Sequence, residues 1–154
     1  MRKSKINISG FKIGTAENRE GLTGVTVILA PDGGATAGVD VRGCAPGTRE
    51  TDLLDPRKTV QKIHAVVLSG GSGLEAASGC VKYLAEQGVG FPIGNVCVPI
   101  VCSAVLFDLM IGDEKAYPDL LMGYEAAKSA SSEFLSGCNG AGTGATVGKL
   151  LGFG

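Results

Sequence analysis

One histidine, His64, supplies all the imidazole in this chain of 154 residues, and its five cysteines, Cys44, Cys80, Cys97, Cys102 and Cys138, contain no Cys-x-x-Cys pair. A finger-type zinc site cannot be built from that set, and an odd cysteine count argues against a disulfide framework. The thiols are expected to be free and buried, packing as small hydrophobes. No apolar run approaches the ~20 residues that a bilayer requires. Residues 1–10 lack the apolar centre of an export signal, so the expectation is a cytoplasmic chain without a membrane span. Basic residues cluster no further than Arg2, Lys3 and Lys5, and 14 Lys+Arg against 15 Asp+Glu leave a net charge of −1. The electrostatic footprint of a nucleic-acid binder is missing.

What the chain does have is a core. Hydrophobic residues make up 44% and charged residues 19%, a balance that folds, and the length suits one domain spanning residues 1–154. The 25 glycines are about twice the usual ~7% share, without collagen's strict period; they serve backbone conformation. Residues 25–30, rich in β-branched side chains, read as a strand followed by the turn chemistry of Pro31, Asp32, Gly33 and Gly34. Residues 36–41 read as the returning strand of a hairpin, and a long polar loop extends from there to about Thr59. Residues 63–68 have the apolar run of a strand covered on both faces. After Ser69-Gly70-Gly71-Ser72-Gly73, the positions Ala77, Cys80, Val81 and Leu84 keep helical spacing, with Ser72 as N-cap, Glu75 completing a capping box and Gly88 ending the helix. Residues 96–107 read as a strand with an edge or bulge at Pro99. Pro118 opens a second helix whose face comprises Leu120, Tyr124, Ala127, Ser131 and Phe134, stopped by Gly137.

Chemistry-bearing groups are sparse. A Ser-His-Asp or Cys-His pair would need His64, which as a strand residue reads better as a hydrogen-bonded structural histidine. An N-terminal nucleophile dispenses with imidazole, because the free α-amine of a Ser, Thr or Cys activates its own side chain. The glycine-rich run 140–149 lacks the hydroxyl of a Walker loop, since Leu150 follows Gly148-Lys149, and Thr143 stands where the first glycine belongs. As a dinucleotide fingerprint it fits only a loose form without a leading strand. Close glycines can still bring backbone N–H groups to a ligand or a developing oxyanion, or simply allow a tight backbone crossing. Asp108, Asp113 and Glu114 read as solvated loop charges. Arg42 and Arg49, with Glu50 and Asp52 nearby, either pair within their loop or line a pocket.

Three segments in order carry a resemblance: Gly38-Val39-Asp40-Val41-Arg42-Gly43-Cys44-Ala45-Pro46-Gly47-Thr48-Arg49-Glu50-Thr51-Asp52-Leu53-Leu54, then His64-Ala65-Val66-Val67-Leu68-Ser69-Gly70-Gly71-Ser72, then Gly140-Ala141-Gly142-Thr143-Gly144-Ala145-Thr146-Val147-Gly148-Lys149. Together they resemble the self-processing L-aminopeptidase/D-esterase family, which includes β-peptidyl aminopeptidases and nylon-oligomer hydrolases.

The resemblance implies a four-layer α/β/β/α sandwich, formed by a precursor that cuts itself before a Ser or Thr and usually assembled into homo-oligomers. The family's cleavage motif, Gly-Gly-x-Gly-Ser/Thr, lies beyond the glycine-rich run, and the sequence stops at Gly154 before reaching it. These residues therefore read as the α chain, with the nucleophile on a partner β chain from the same precursor. The implied activity is hydrolysis of small peptide, amide or ester substrates with no metal or organic cofactor. Asn139 is the expected oxyanion donor, and Gly70, Gly71, Ser72, Cys138 and Gly140 the expected substrate-binding residues. Two departures are visible. Gly73-Leu74 follows Ser72 directly where family members insert two residues, one often aromatic, so the tyrosine that assists in some members has no counterpart. The family's Asn commonly stands two places before Gly-Ala-Gly-Thr-Gly, at Cys138 here, whereas Asn139 stands one place before it. Two alternatives stay open: a non-catalytic assembly or ligand-binding protein on the same scaffold, and a related self-cleaving acetyltransferase.

Overall fold

The computed structural model describes residues 2–152. In chain order the elements are β1 (Arg2–Lys5), β2 (Lys12–Asn18), β3 (Thr23–Leu29), β4 (Thr48–Arg49), β5 (Ala65–Ser69), α1 (Ala76–Glu86), β6 (Phe91–Ile93), β7 (Val96–Val98), β8 (Val101–Val105), α2 (Leu120–Lys128) and β9 (Glu133–Ser136). Single 3-10 turns occupy Thr51–Leu54, Gly140–Gly142 and Lys149–Leu151. This is a mixed α/β fold.

Alternation in β3 organises the main sheet. Val25, Val27 and Leu29 are buried on one face, while Thr26 and Ile28 point to the other, as the two-residue period of a strand requires. β3 pairs antiparallel with β2 on one edge and with β5 on the other. β8 then joins β5 in parallel, and β4 closes the far edge, giving the order β2-β3-β5-β8-β4. The parallel pair needs a crossover, and α1 with the β6–β7 hairpin supplies it. A separate two-stranded ladder joins β1 to β9.

The two helices cover one face of the sheet. Val25, Val27, Leu29, Ala65, Val67 and Val101 from the strands pack with Ala76, Ala77, Cys80 and Leu84 of α1 and Ala126 and Ala127 of α2. Completely buried valines such as Val25, Val27 and Val67 are each worth roughly 1.5–3 kcal/mol of transfer free energy. The helices cross backbone on backbone: a Cβ placed on Gly123 would lie 1.9 Å from the Ala76 carbonyl oxygen.

Several expectations are corrected. Residues 36–41 form no returning strand, because both edges of β3 are already occupied by β2 and β5; only Ala35 makes a bridge, to Ile63. Ser72 is not the N-cap of α1. Its φ is +53°, the residue at the cap is Glu75, and no side chain caps the helix; the N–H groups of Gly73 and Leu74, the first two after Ser72, are taken by Gly70 and Ser72 carbonyls within the turn. Residues 96–107 are not one strand: Pro99 and Ile100 separate β7 from β8. α2 ends at Lys128, and Ser131 and Phe134 lie outside it. Ser131 exchanges both backbone hydrogen bonds with Ile13, which draws the chain into extended form along the β2 edge. Asp119, after Pro118, caps α2 by accepting the Met122 N–H at 2.8 Å. Of the cysteines, Cys80 and Cys102 are buried, whereas Cys97 is half-buried and Cys44 and Cys138 are exposed. Among the described residues no helix is long and apolar enough to cross a membrane.

Candidate functional site

The sheet face opposite the helices carries a cavity of about 400 Å³. Alternate residues of the strands floor it, Ile13 and Thr15 from β2, Thr26 and Ile28 from β3, Leu68 from β5 and Ala104 from β8, while Phe134, Leu135, Ser136 and Gly137 wall one side. Asn139, Ala141 and Gly142 bring the glycine-rich run into the same wall.

Asn139 is 6% exposed, and its amide is held at both ends. Its Nδ2 donates to Thr15 Oγ1 at 2.7 Å, and its Oδ1 accepts from Arg19 Nη2 at 3.1 Å. Arg19 is in turn paired with Glu17 at 2.5 Å. The second Glu17 oxygen accepts the Gly140 N–H at 3.3 Å, and Thr26 Oγ1 accepts the Ala141 N–H at 3.0 Å. Two strands thus fix the glycine run from below through side chains, and contact is close enough that a Cβ on Gly24 would sit 2.3 Å from the Gly140 carbonyl oxygen. A buried amide with an oriented N–H₂ beside an open cavity is chemically suited to donate to a developing oxyanion.

The Gly70-Gly71-Ser72 turn leaves the C-terminal end of β5. Its N–H groups are all committed: Gly70 to Gly24 O at 2.9 Å, Gly71 to Asp108 Oδ1 at 2.5 Å and Ser72 to Leu106 O at 3.1 Å. Gly71 and Ser72 have φ of +55° and +53°, a left-handed pair that Gly71 adopts without strain. The turn does not line the cavity that Asn139 lines, although the flanking Leu68 and Leu106 do. Gly70 and Gly140 meet across Gly24, which accepts the N–H of the first and lies against the carbonyl of the second. Cys138 is exposed and also outside the cavity lining.

Asp108 corrects the expectation of a solvated loop charge. It is 4% exposed, anchors Gly71, and keeps its Oδ2 without a partner; Asp113 and Glu114 are exposed. The expected structural histidine is found: His64 is buried just before β5 and its Nδ1 accepts the Ile100 N–H at 3.1 Å, with burial pushing its pKa below the usual imidazole value. Among the described residues no three of His, Cys, Asp and Glu gather as a metal-ligand set. Thr15, Glu17, Arg19 and Thr26 were not singled out in the sequence, and their signal is the alternation of Ile13, Thr15 and Glu17, which marks one face of a strand.

Residues 5–153 match Peptidase family S58, and the chain belongs to that family. An uncharacterized aminopeptidase of Mycobacterium tuberculosis is 47% identical over 131 residues, covering 84% of this chain and 38% of the relative. A 6-aminohexanoate-oligomer endohydrolase of Paenarthrobacter ureafaciens is 36% identical over 149 residues, covering 95% of this chain and 39% of that protein. The chain therefore spans about two fifths of the length of these relatives. Among solved structures, a protein of Pyrococcus horikoshii shares the fold with a TM-score of 0.70 at 23% identity, over 89% of this chain and 43% of the other. A Burkholderia sp. beta-aminopeptidase does so with a TM-score of 0.61 at 19% identity, over 89% and 41%.

Proposed function

We propose that this chain is the α portion of a two-chain amide hydrolase whose nucleophile is the N-terminal Ser or Thr of a β chain from the same precursor. The observation that carries the reading is the oriented, buried amide of Asn139 at the edge of an uncovered apolar sheet face. That face, with Ile13, Ile28 and Leu68, needs a second layer, and a β-chain sheet packed on it with helices beyond would complete a four-layer α/β/β/α sandwich. The relatives' greater length is consistent with such a partner segment. Homo-oligomeric assembly and cytoplasmic residence belong to the same reading.

In this mechanism the nucleophile's Oγ attacks the substrate carbonyl carbon while its proton passes to the residue's own α-amine, a base with an ordinary pKa of about 7.7–8.0. Negative charge develops on the carbonyl oxygen, and the Asn139 N–H₂ donates to it. Collapse breaks the C–N bond, the ammonium returns its proton to the leaving amine, and water releases the acyl group by the reverse sequence. Gly70, Gly71, Ser72, Cys138 and Gly140 belong to the same proposal as residues that shape the substrate side around the cavity rather than lining it, because the N–H groups of the Gly-Gly-Ser turn are already used. Small peptides and short ω-amino-acid amides are the substrate class, in keeping with relatives named as an aminopeptidase and a 6-aminohexanoate-oligomer endohydrolase.

The test is kinetic. The processed full-length protein should hydrolyse at least one of a panel of aminoacyl p-nitroanilides and 6-aminohexanoate oligomers. Asn139→Ala should lower kcat by about 10²–10³, or ~2.7–4 kcal/mol, with KM within a few-fold. A panel left untouched by the wild-type protein would overturn the hydrolase reading. Near-normal kcat in Asn139→Ala, together with a large loss in Cys138→Ala, would move the donor back one residue.

A further inference from the structure

The Asn139 amide has two ends of almost equal shape, and only one of them can serve an oxyanion. Thr15 does not decide between them, because its hydroxyl accepts from Nδ2 as found and could equally donate to Oδ1 after a half-turn of the amide. Arg19 is different: a guanidinium only donates, so the atom 3.1 Å from its Nη2 has to be the oxygen. Glu17 holds the guanidinium in place, with one carboxylate oxygen on Arg19 at 2.5 Å and the other on the Gly140 N–H at 3.3 Å. The carboxylate therefore ties Arg19 to the backbone that carries Asn139. Arg19 is half-exposed while Glu17 is largely covered, so the pair reaches the amide from the solvent side without being part of the core.

We infer that Arg19, braced by Glu17, is a positioning residue that fixes which end of the Asn139 amide is presented to the substrate carbonyl. The inference rests on the reading of Asn139 as oxyanion donor. Without the guanidinium, the flipped amide places an acceptor where the oxyanion forms, and turnover is lost from that fraction of molecules. Substrate binding in the ground state should change little, since Arg19 acts on the amide and not on the substrate.

The experiment is a double-mutant cycle in the processed full-length enzyme, using whichever aminoacyl p-nitroanilide or 6-aminohexanoate oligomer the wild type hydrolyses. Arg19→Met, which keeps an unbranched stem, should lower kcat about twofold with KM unchanged, because Thr15 holds either orientation equally and about half of the amides then present oxygen. Arg19→Lys should recover most of that loss, because an ammonium also only donates. In the Asn139→Ala background, Arg19→Met should leave kcat unchanged, since no amide is left to orient. Full multiplication of the two losses would overturn the inference, as would a loss expressed in KM alone or wild-type kcat in Arg19→Met. If Asn139→Ala itself keeps wild-type kcat, the oxyanion reading falls, and the inference with it. If Asn139→Ala is slow and Arg19→Met is not, only the positioning role falls. Should Arg19→Met fail to fold by circular dichroism, Glu17→Gln, which removes the brace of the guanidinium, gives the same discrimination through the same cycle.

Discussion

The anchoring of Gly71 by Asp108 offers a direct test of how the Gly70-Gly71-Ser72 turn is held. Both partners are buried, and the bond is short, 2.5 Å from Gly71 N to Asp108 Oδ1. The turn also contains a non-glycine residue, Ser72, at φ +53°, a conformation that costs about 1–3 kcal/mol and persists only when its surroundings impose it. Asp108→Ala removes the acceptor and strands a buried N–H, a loss of about 1–3 kcal/mol. Asp108→Asn keeps an acceptor at the Oδ1 position and turns the unpartnered Oδ2 into a donor. That donor faces the same space over Gly70 as Thr23 Oγ1, another buried atom without a partner, so the Asn variant should lie within about 1 kcal/mol of wild type. The difference between the variants, about 1–2 kcal/mol, corresponds to roughly 2–8 °C in Tm for a domain of this size. Thermal unfolding of the assembled protein at one fixed concentration reads it. A Tm for Asp108→Ala equal to wild type, or Asp108→Asn less stable than Asp108→Ala, would refute the assignment of Asp108 as the anchor of the turn.

Other consequences follow from packing and burial. Gly123→Ala sets a methyl group against the Ala76 carbonyl, with backbone on both sides of the crossing; despite alanine's better helix propensity it should destabilise by about 1–3 kcal/mol in a denaturant titration. His64 has its folded pKa lowered, mainly by burial, so the unfolded chain binds the proton more readily. Its contribution to stability is complete above the unfolded value of about 6.5 and declines as pH falls below it; His64→Gln should flatten that part of a stability–pH curve. Burial pushes the Cys80 thiol up to about 12, so iodoacetamide at pH 8 should label the exposed Cys44 and Cys138 in the folded protein and reach Cys80 only after unfolding, as peptide mapping would record. Hydrolysis should survive chelation, because every step in the mechanism uses groups of the protein and its substrate; loss of activity on chelation, restored by a divalent ion, would contradict it.

The parts of the fold that were legible share one property: their apolar residues repeat at the element's own period. Val25, Val27 and Leu29 announce β3, and Ala77, Cys80 and Leu84 announce α1. β2 was missed for a physical reason. Where it faces α2 the strand carries Gly14, whose missing side chain lets the Ala126 carbonyl approach to 1.9 Å of the Cβ position, and beside it only the small Ala16, so no large hydrophobe marks the buried face. The misread hairpin at residues 36–41 has the opposite cause. Val39 and Val41 alternate as a strand would, but both edges of β3 are filled and the two valines are exposed. At the site, Asn139 and its glycines were visible because their order along the chain is a motif. Thr15, Glu17 and Arg19, the groups that surround Asn139 and Gly140, lie more than a hundred residues away in sequence, and only the folded sheet brings them together. Asp113 and Glu114 give the sequence around Asp108 the look of a charged loop, whereas the partner of Asp108 is a backbone N–H 37 residues upstream.

The central claim is that residues 1–154 furnish the oxyanion side of a site whose nucleophile begins another chain. Intact-mass and N-terminal analysis of the protein purified from the complete gene, after quenching with a slowly deacylating ester, tests it most directly. The expected result is two polypeptides, one containing this sequence and unmodified, the other beginning with Ser or Thr and carrying the acyl group on that first residue. A single uncut polypeptide that retains activity, or an acyl group found on any residue between 1 and 154, would contradict it.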